Sequence, residues 1–149
     1  MQTIKSLYEK SLQLNTDAII IESLKETTVD FETENKIQML MGITNKGEPI
    51  RPKYHSGKYA KAKKATGSIP EEGTPDLFVT GEFQRLIDVE VGNDVLDIIS
   101  KDDKGPELEF KYKNIFGLSG PYKGFYLDTN LGPAIQLRIS KVININFRQ

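Results

Sequence analysis

Cysteine is absent from this 149-residue chain, histidine occurs once, and no apolar run approaches membrane-spanning length. The first absence excludes disulfides, thiolate metal sites and cysteine nucleophiles. With His55 as the only histidine, a Ser-His-Asp arrangement would have to run through one residue inside a basic stretch, and no G-x-S-x-G elbow accompanies it. The longest apolar run near the N-terminus is Ala18 to Ile21, against about 20 residues needed to cross a bilayer. No signal-peptide core follows Met1, so the expectation is a soluble protein made in the cytoplasm. Phosphate-cradling loops are missing too. The glycines of "GLSGPYKG" have neither dinucleotide-fingerprint spacing nor a suitable strand before them, and suit a turn and a helix start. Asp102 and Asp103, with Asp97 nearby, offer oxygen ligands for a hard cation, but the set is short and "KDDKG" reads as a polar turn. No catalytic residue, metal site or cofactor is therefore assigned.

What the chain does have is segregated charge. The formal net charge is -1, yet "RPKYHSGKYAKAKKATG", Arg51 to Gly67, holds six basic residues and no acidic one. Fourteen of the twenty basic residues remain elsewhere against twenty-one acidic ones, a balance of -7. Such asymmetry marks contact with something of opposite sign. The length fits one domain of common size. A hydrophobic content of 38% with 28% charged residues implies a thin core and much solvated or partner-covered surface.

Local pattern gives an α+β class. "IKSLYEKSLQL" has partial helical spacing, and a second helical stretch restarts after an Asn15 or Thr16 cap, giving two helices or one kinked helix over residues 1–35. In the second, Ile19, Ile20, Leu24, Thr27 or Thr28, and Phe31 form an apolar stripe. Glu22, Glu26, Asp30 and Glu34 step by fours along the other face, either as a solvated surface or as a dock for a basic partner. "KIQMLMGITNKGEPI" reads as a small hairpin about Asn45-Lys46-Gly47. Residues 47–75 read as a long exposed loop in which Gly57 to Ala65 could be helical. Period-two alternation from Leu86 to Ile99, with a turn at Gly92-Asn93-Asp94, is the clearest hairpin and forms the centre of a small antiparallel sheet. Within residues 76–149, Ser119 before Gly120-Pro121 and Asn130 before Leu131 are expected helix caps. The final helix, Leu131 to Ile143, is expected to pack on the hairpin, and "NINFRQ" to end as a strand or an arm.

The basic segment supplies the candidate contact residues Arg51, Lys53, Lys58, Lys61, Lys63 and Lys64, with Glu22, Glu26 and Asp30 as the opposing acidic face. Pairing between subunits would turn internal segregation into self-complementarity. Phosphate contact, with Tyr54 and Tyr59 stacking on bases, is the alternative, although no recognised nucleic-acid motif accompanies the lysines. A membrane role is disfavoured because the segment lacks an apolar face.

The succession "DLFVTGEFQRLIDVEV", "DIISKDDKGPELEFKY" and "NIFGLS" resembles small proteins encoded in the structural gene clusters of tailed bacteriophages and prophages, notably those of Bacteroidetes hosts. Thr80-Gly81-Glu82-Phe83 is similar to the "TG-x-L" step of tail-completion and head-to-tail connector proteins, and "IFGL", Ile115 to Leu118, is the other distinctive element. Where that broader family carries Tyr-Ala and Glu-x-Gly after the hairpin, "ELEFKYKNIFGL" stands here. The resemblance implies a small α+β virion subunit of the neck or proximal tail. It would form a ring around the DNA channel, contact itself, portal and other neck or tail proteins, and have no small-molecule substrate. A nucleic-acid-binding accessory protein of a phage or prophage is the alternative reading.

Overall fold

The computed structural model describes residues 4–92 and 95–144. Helices dominate around a two-stranded antiparallel sheet, in keeping with the α+β expectation. The N-terminal part holds three helices, α1 (Ile4–Ser11), α2 (Thr16–Glu26) and α3 (Thr28–Leu40). Asn15 caps α2 by accepting from the Ala18 N–H at 3.0 Å. The chain breaks at Thr27, whose hydroxyl donates to the Ser23 carbonyl at 2.9 Å and shares a 2.7 Å hydrogen bond with the Tyr126 hydroxyl. A side chain that bonds the preceding turn and a distant ring at once fixes the angle between α2 and α3.

The helix that follows runs through Lys36–Leu40, a stretch expected as the first strand of a hairpin. The correction has a physical cause: Asn35, Gln38 and Met39 are fully buried on one helical face, and two of them carry amides with partners only a helix can present. The predicted hairpin about Asn45 shrinks to one bridge between Ile43 and Pro49. Proline has no N–H to extend a ladder. The turn keeps its form through Gly47 N–H to the Thr44 carbonyl at 2.9 Å and Thr44 N–H to the Glu48 carbonyl at 2.8 Å.

The central hairpin forms as read. Strands β1 (Ile87–Val91) and β2 (Leu96–Ser100) pair with Ile87 opposite Ser100 and Val91 opposite Leu96. Ile87 and Val89 are buried while Glu90 is exposed. Its turn residues Asn93 and Asp94 lie outside the described residues, as does the predicted arm over 145–149. Helix α3 covers β1. Met39, Ile50, Leu77, Phe83, Ile87, Tyr112 and Ile115 form the core, edged by Ile98, Leu108 and Phe116.

Between residues 47 and 75 most side chains are exposed, but the segment is anchored through buried Ile50, Ala60, Thr74 and Pro75 and contains helix α4 (Gly57–Ala65). The short helices α5 (Glu82–Arg85) and α6 (Gly105–Lys111) flank the hairpin. Ser119 precedes α7 (Gly120–Tyr126), as predicted, in an extended conformation with Pro121 in the first turn. Asn130 is not a cap. Helix α7 continues through a π turn, Leu127–Leu131, into α8 (Gly132–Asn144). Pro133 lacks a donor and its ring crowds the carbonyl four residues back, so the helix widens by one residue and passes on. Gly132 permits this, since a Cβ there would lie 2.7 Å from the Leu127 carbonyl oxygen. The final helix also packs elsewhere than expected: its partners are α2 and α1.

One arrangement ties these parts together. The segment Asn114–Ser119 is irregular, with Ile115 and Ser119 buried and Phe116 to Leu118 half-buried, so its inward backbone groups need partners. Asn35 Nδ2 donates to the carbonyls of Ile115 (3.2 Å) and Gly117 (2.9 Å), and Gln38 Nε2 to Gly117 (2.9 Å). Gln38 Oε1 accepts from the Ser119 N–H at 2.7 Å. From the other side, Asn45 N–H donates to the Asn114 carbonyl at 2.8 Å and Asn45 Nδ2 to the Phe116 carbonyl at 2.6 Å. Gly117 sits at φ 100° with Asn45 Nδ2 3.3 Å from where a Cβ would be, a position suited to glycine. Replacing Gln38 with Ala leaves a buried N–H and a buried carbonyl short of partners. Gln38→Ala is expected to lower unfolding free energy by about 2–3 kcal/mol in urea titrations, while the exposed Thr33→Ala changes it by less than about 0.5 kcal/mol. Equal small effects would contradict the assignment.

Candidate interaction surface

The basic segment divides into spent and free charges. Ser56 caps α4 by accepting from the Tyr59 N–H at 3.2 Å, and burial of Ala60 seats the helix. That seating turns Lys63 inward, where its Nζ lies 2.9 Å from Asp76 and also donates to the Phe78 carbonyl. Lys64 Nζ donates to the carbonyls of Ser68 (3.0 Å), Ile69 (3.0 Å) and Pro70 (2.8 Å), closing the turn after α4. Lys53 Nζ stands 3.7 Å from Glu71. Among the described residues, Arg51, Lys58 and Lys61 are left without an ion-pair partner, and all three are exposed. The six predicted contact cations are thus brought to one region, but Lys53 and Lys64 are engaged within the segment itself and Lys63 holds it to Asp76 and Phe78.

Asp76 is the centre of that attachment. It is 4% exposed and accepts from Ser68 Oγ (2.7 Å), Lys63, the Phe78 N–H (3.1 Å) and the Tyr54 hydroxyl (3.3 Å). The bond to Phe78, two residues on, is an Asx-type turn, and it leaves Leu77 at φ 52°. Gln84 Nε2 holds the strained residue's carbonyl at 2.6 Å. Burial alone would push the Asp76 carboxyl up, but hydrogen bonds from Ser68 and Lys63 outweigh it and hold the group below the usual carboxylate range. Burial and the neighbouring Asp76 charge push the Tyr54 phenol well above its ordinary value.

Around this anchor the surface is apolar. A cavity of about 550 Å³ opens between α4 and the loop after it, with Leu40, Tyr59, Ala62, Ile69, Phe78 and Val79 among its walls. Ile69 is 58% exposed and Val79 77% exposed. Tyr54 meets Tyr59 edge to face, ring centres 4.9 Å apart. Contiguous apolar side chains on a wall this open mark contact with another molecule. Sequence pattern missed the cleft because its walls come from separate segments, and it missed the Lys63–Asp76 pair because the twelve intervening residues carry no periodic signal.

The acidic face is less available than its spacing suggested. The break at Thr27 separates Glu22 and Glu26 on α2 from Asp30 on α3. Glu26 is 2.9 Å from Arg138 of α8, and Glu22 is 3.3 Å from Lys25. Arg138 also donates to the Glu22 carbonyl at 3.3 Å. Of the three predicted acids, Glu26 therefore ties α2 to α8, while the Glu22 carboxylate pairs within α2 and only its backbone carbonyl meets Arg138. Asp30 faces the region of Tyr126, whose phenol is raised first by burial, with the Asp30 charge adding to it.

His55 is exposed in the basic segment, and among the described residues no group of three His, Asp or Glu is placed to hold a metal ion. Among those same residues, no helix is long and apolar enough to cross a membrane. No known family, curated protein or solved structure matches the chain.

Asp76 contributes stability as the anion, because its folded-state carboxyl titrates below the unfolded value. That contribution is full above the unfolded value of about 3.9 and is lost as pH falls through the lower folded value. Asp76→Asn strands the Lys63 ammonium and is expected to cost about 3 kcal/mol at pH 7. Its urea midpoint should also fall less steeply than wild type as pH drops below about 4. Parallel pH curves for the two proteins would show that Asp76 is not the titrating anchor.

Proposed function

We propose that the chain is a structural subunit of the neck or proximal tail of a tailed-phage virion. It acts by assembly rather than catalysis, as a ring-forming head-to-tail connector or tail-completion protein. The observation that carries this reading is the surface. Among the described residues seventeen large apolar side chains stand exposed, against eleven hydrophobic residues buried in the core. A chain that leaves more large apolar groups outside than inside gains its remaining burial from neighbours. Resemblance supplies the kind of neighbour. Its two distinctive elements, Thr80-Gly81-Glu82-Phe83 and Ile115 to Leu118, meet in the fold, where Phe83 stacks on Phe116 with ring centres 6.3 Å apart.

In this reading Arg51, Lys58 and Lys61 face the neighbour or the channel, because they are the cations of the segment that the fold leaves free. Lys53 and Lys64 instead brace the segment internally, and Lys63 holds it to Asp76. The apolar cleft beside α4 belongs to the same contact region. Portal protein, other neck or tail proteins and further copies of the chain are the proposed partners, and assembled virions the proposed location.

Native mass spectrometry and light scattering across concentration and salt test the assembly. Concentration-dependent association, ending in a closed species of defined size, is expected, and Val79→Asp with Phe78→Ser should abolish it while the circular dichroism spectrum stays unchanged. A monomer at every concentration, together with absence from purified particles, would overturn the proposal. Three free cations limit direct phosphate binding to a salt slope of about -3, so retention on DNA with a much steeper slope would favour a nucleic-acid-binding accessory protein instead.

A further inference from the structure

The sheet has two strands, and its two outer edges differ. Gly92 N–H donates to the Val95 carbonyl and Lys101 N–H to the Leu86 carbonyl, both at 2.8 Å. The alternation of an antiparallel ladder then turns the backbone groups of Ile87, Val89 and Val91 away from β2, and those of Leu96, Ile98 and Ser100 away from β1. The β1 edge is guarded: α3 and α2 pack against that strand, and the Val89 N–H is taken by Asp88 Oδ1 at 2.9 Å. On the β2 edge, the backbone groups of Leu96, Ile98 and Ser100 have no hydrogen-bond partner among the described residues. Neither proline, lysine nor a bulge interrupts Leu96–Ser100 to deter a further strand. Charge says what fits there. Glu90 and Asp97 stand directly opposite each other across the ladder, both exposed, and like charges in that position repel. Lys101 on the same face is bonded to Asp88 and feels Glu90 only from beyond ion-pair distance. Neither Glu90 nor Asp97 forms an ion pair among the described residues.

We propose that the open edge of β2 receives residues 145–148 of a second copy of this chain as a third strand. Of the stretches outside the described residues, 1–3, 93–94 and 145–149, only the last alternates apolar with polar residues, as Ile145, Asn146, Phe147 and Arg148. Laid antiparallel with Phe147 opposite Ile98, this stretch exchanges both backbone bonds with the free groups of Ile98. Phe147 and Ile145 then lie on the buried side of the sheet beside Ile98 and Ser100, and Arg148 lies opposite Asp97, where its charge relieves the repelling pair. A slip of one residue would set Phe147 among the carboxylates. The donor is a second copy because pairing begins at the residue after α8, which ends at Asn144, and leaves no linker. That helix packs on α2 and α1, whereas β2 is flanked by β1 and α6. Each copy gives one strand and receives one, a head-to-tail contact that closes into a ring or propagates. The contact is separate from the groove beside α4 and stands whether or not the virion reading holds.

Because the chain has no cysteine, Gln149→Cys accepts a single nitroxide spin label. Full-length chains carrying the nitroxide are mixed with isotope-labelled chains that lack it, so that only contact between copies broadens the observed amide signals. Selective broadening at Leu96, Ile98 and Ser100, rising with concentration, is the expected result, together with about tenfold slower hydrogen exchange at the Ile98 N–H. Ile145→Asp combined with Phe147→Asp in the donor should abolish both effects, and these substitutions alter none of the described contacts. Arg148→Asp in the donor should weaken the contact about fivefold, and Asp97→Arg in the receiving copy should restore it. Broadening at Ile87, Val89 and Val91, or at Tyr59, Ile69 and Val79 in the groove, would overturn the proposal. So would broadening of the β2 edge only when nitroxide and isotope share one chain, or none at millimolar protein. A closed assembly that forms without broadening at β2 would remove this contact while leaving the virion reading in place.

Discussion

Two buried amides on one turn of α3 hold the structure together. Asn35 and Gln38 sit fully enclosed and satisfy the backbone of a segment some eighty residues away, while Asn45 closes it from the opposite side. The segment is irregular, so its carbonyls and N–H groups have no ladder to join; without these side chains its burial would be unfavourable by the cost of several unmade hydrogen bonds. Once it is fixed, Ile115 enters the core and Phe116 meets Phe83. Ser119 is also placed to start α7, and Tyr126 then reaches Thr27 with its ring edge-on to Phe31. The central segment, the α2–α3 junction and the C-terminal helices thus share one polar dependency.

The same dependency explains what was legible beforehand. The hairpin from Ile87 to Ser100 was, because strict alternation and a Gly-Asn-Asp turn are local signals, and so were the Asn15 and Ser119 helix starts. Lys36–Leu40 was not, since its helical state serves a distant partner and its buried glutamine looks like a surface residue by type. Asn130 misled because a proline three residues on usually marks a helix start, whereas a π turn absorbed it. The candidate lysines were found as a group by composition, but which of them remain free depended on Asp76, Glu71 and the carbonyls of the turn after α4, partners that nothing in the local pattern distinguished.

Function follows from how little the body has left over. Ion pairs that might have served a partner, Lys63 with Asp76 and Arg138 with Glu26, are used to hold the chain's own elements. What remains outward is apolar surface, most densely along Tyr59, Ile69, Phe78 and Val79, with three unpaired cations on the same segment. A surface of that kind acquires affinity mainly from buried area, and specificity from the few charges at its edge.

Native-state amide hydrogen exchange, read residue by residue in dilute protein, tests the central claim most directly. If the α3 amides hold the fold, the N–H groups of Ser119 and Asn45 open only with global unfolding, and exchange as slowly as those of Asp88 and Glu90, which face β2 in the ladder. Exchange at Ser119 and Asn45 through low-energy local opening, while β1 stays protected, would show that the segment is an attachment and not the support on which the rest is built.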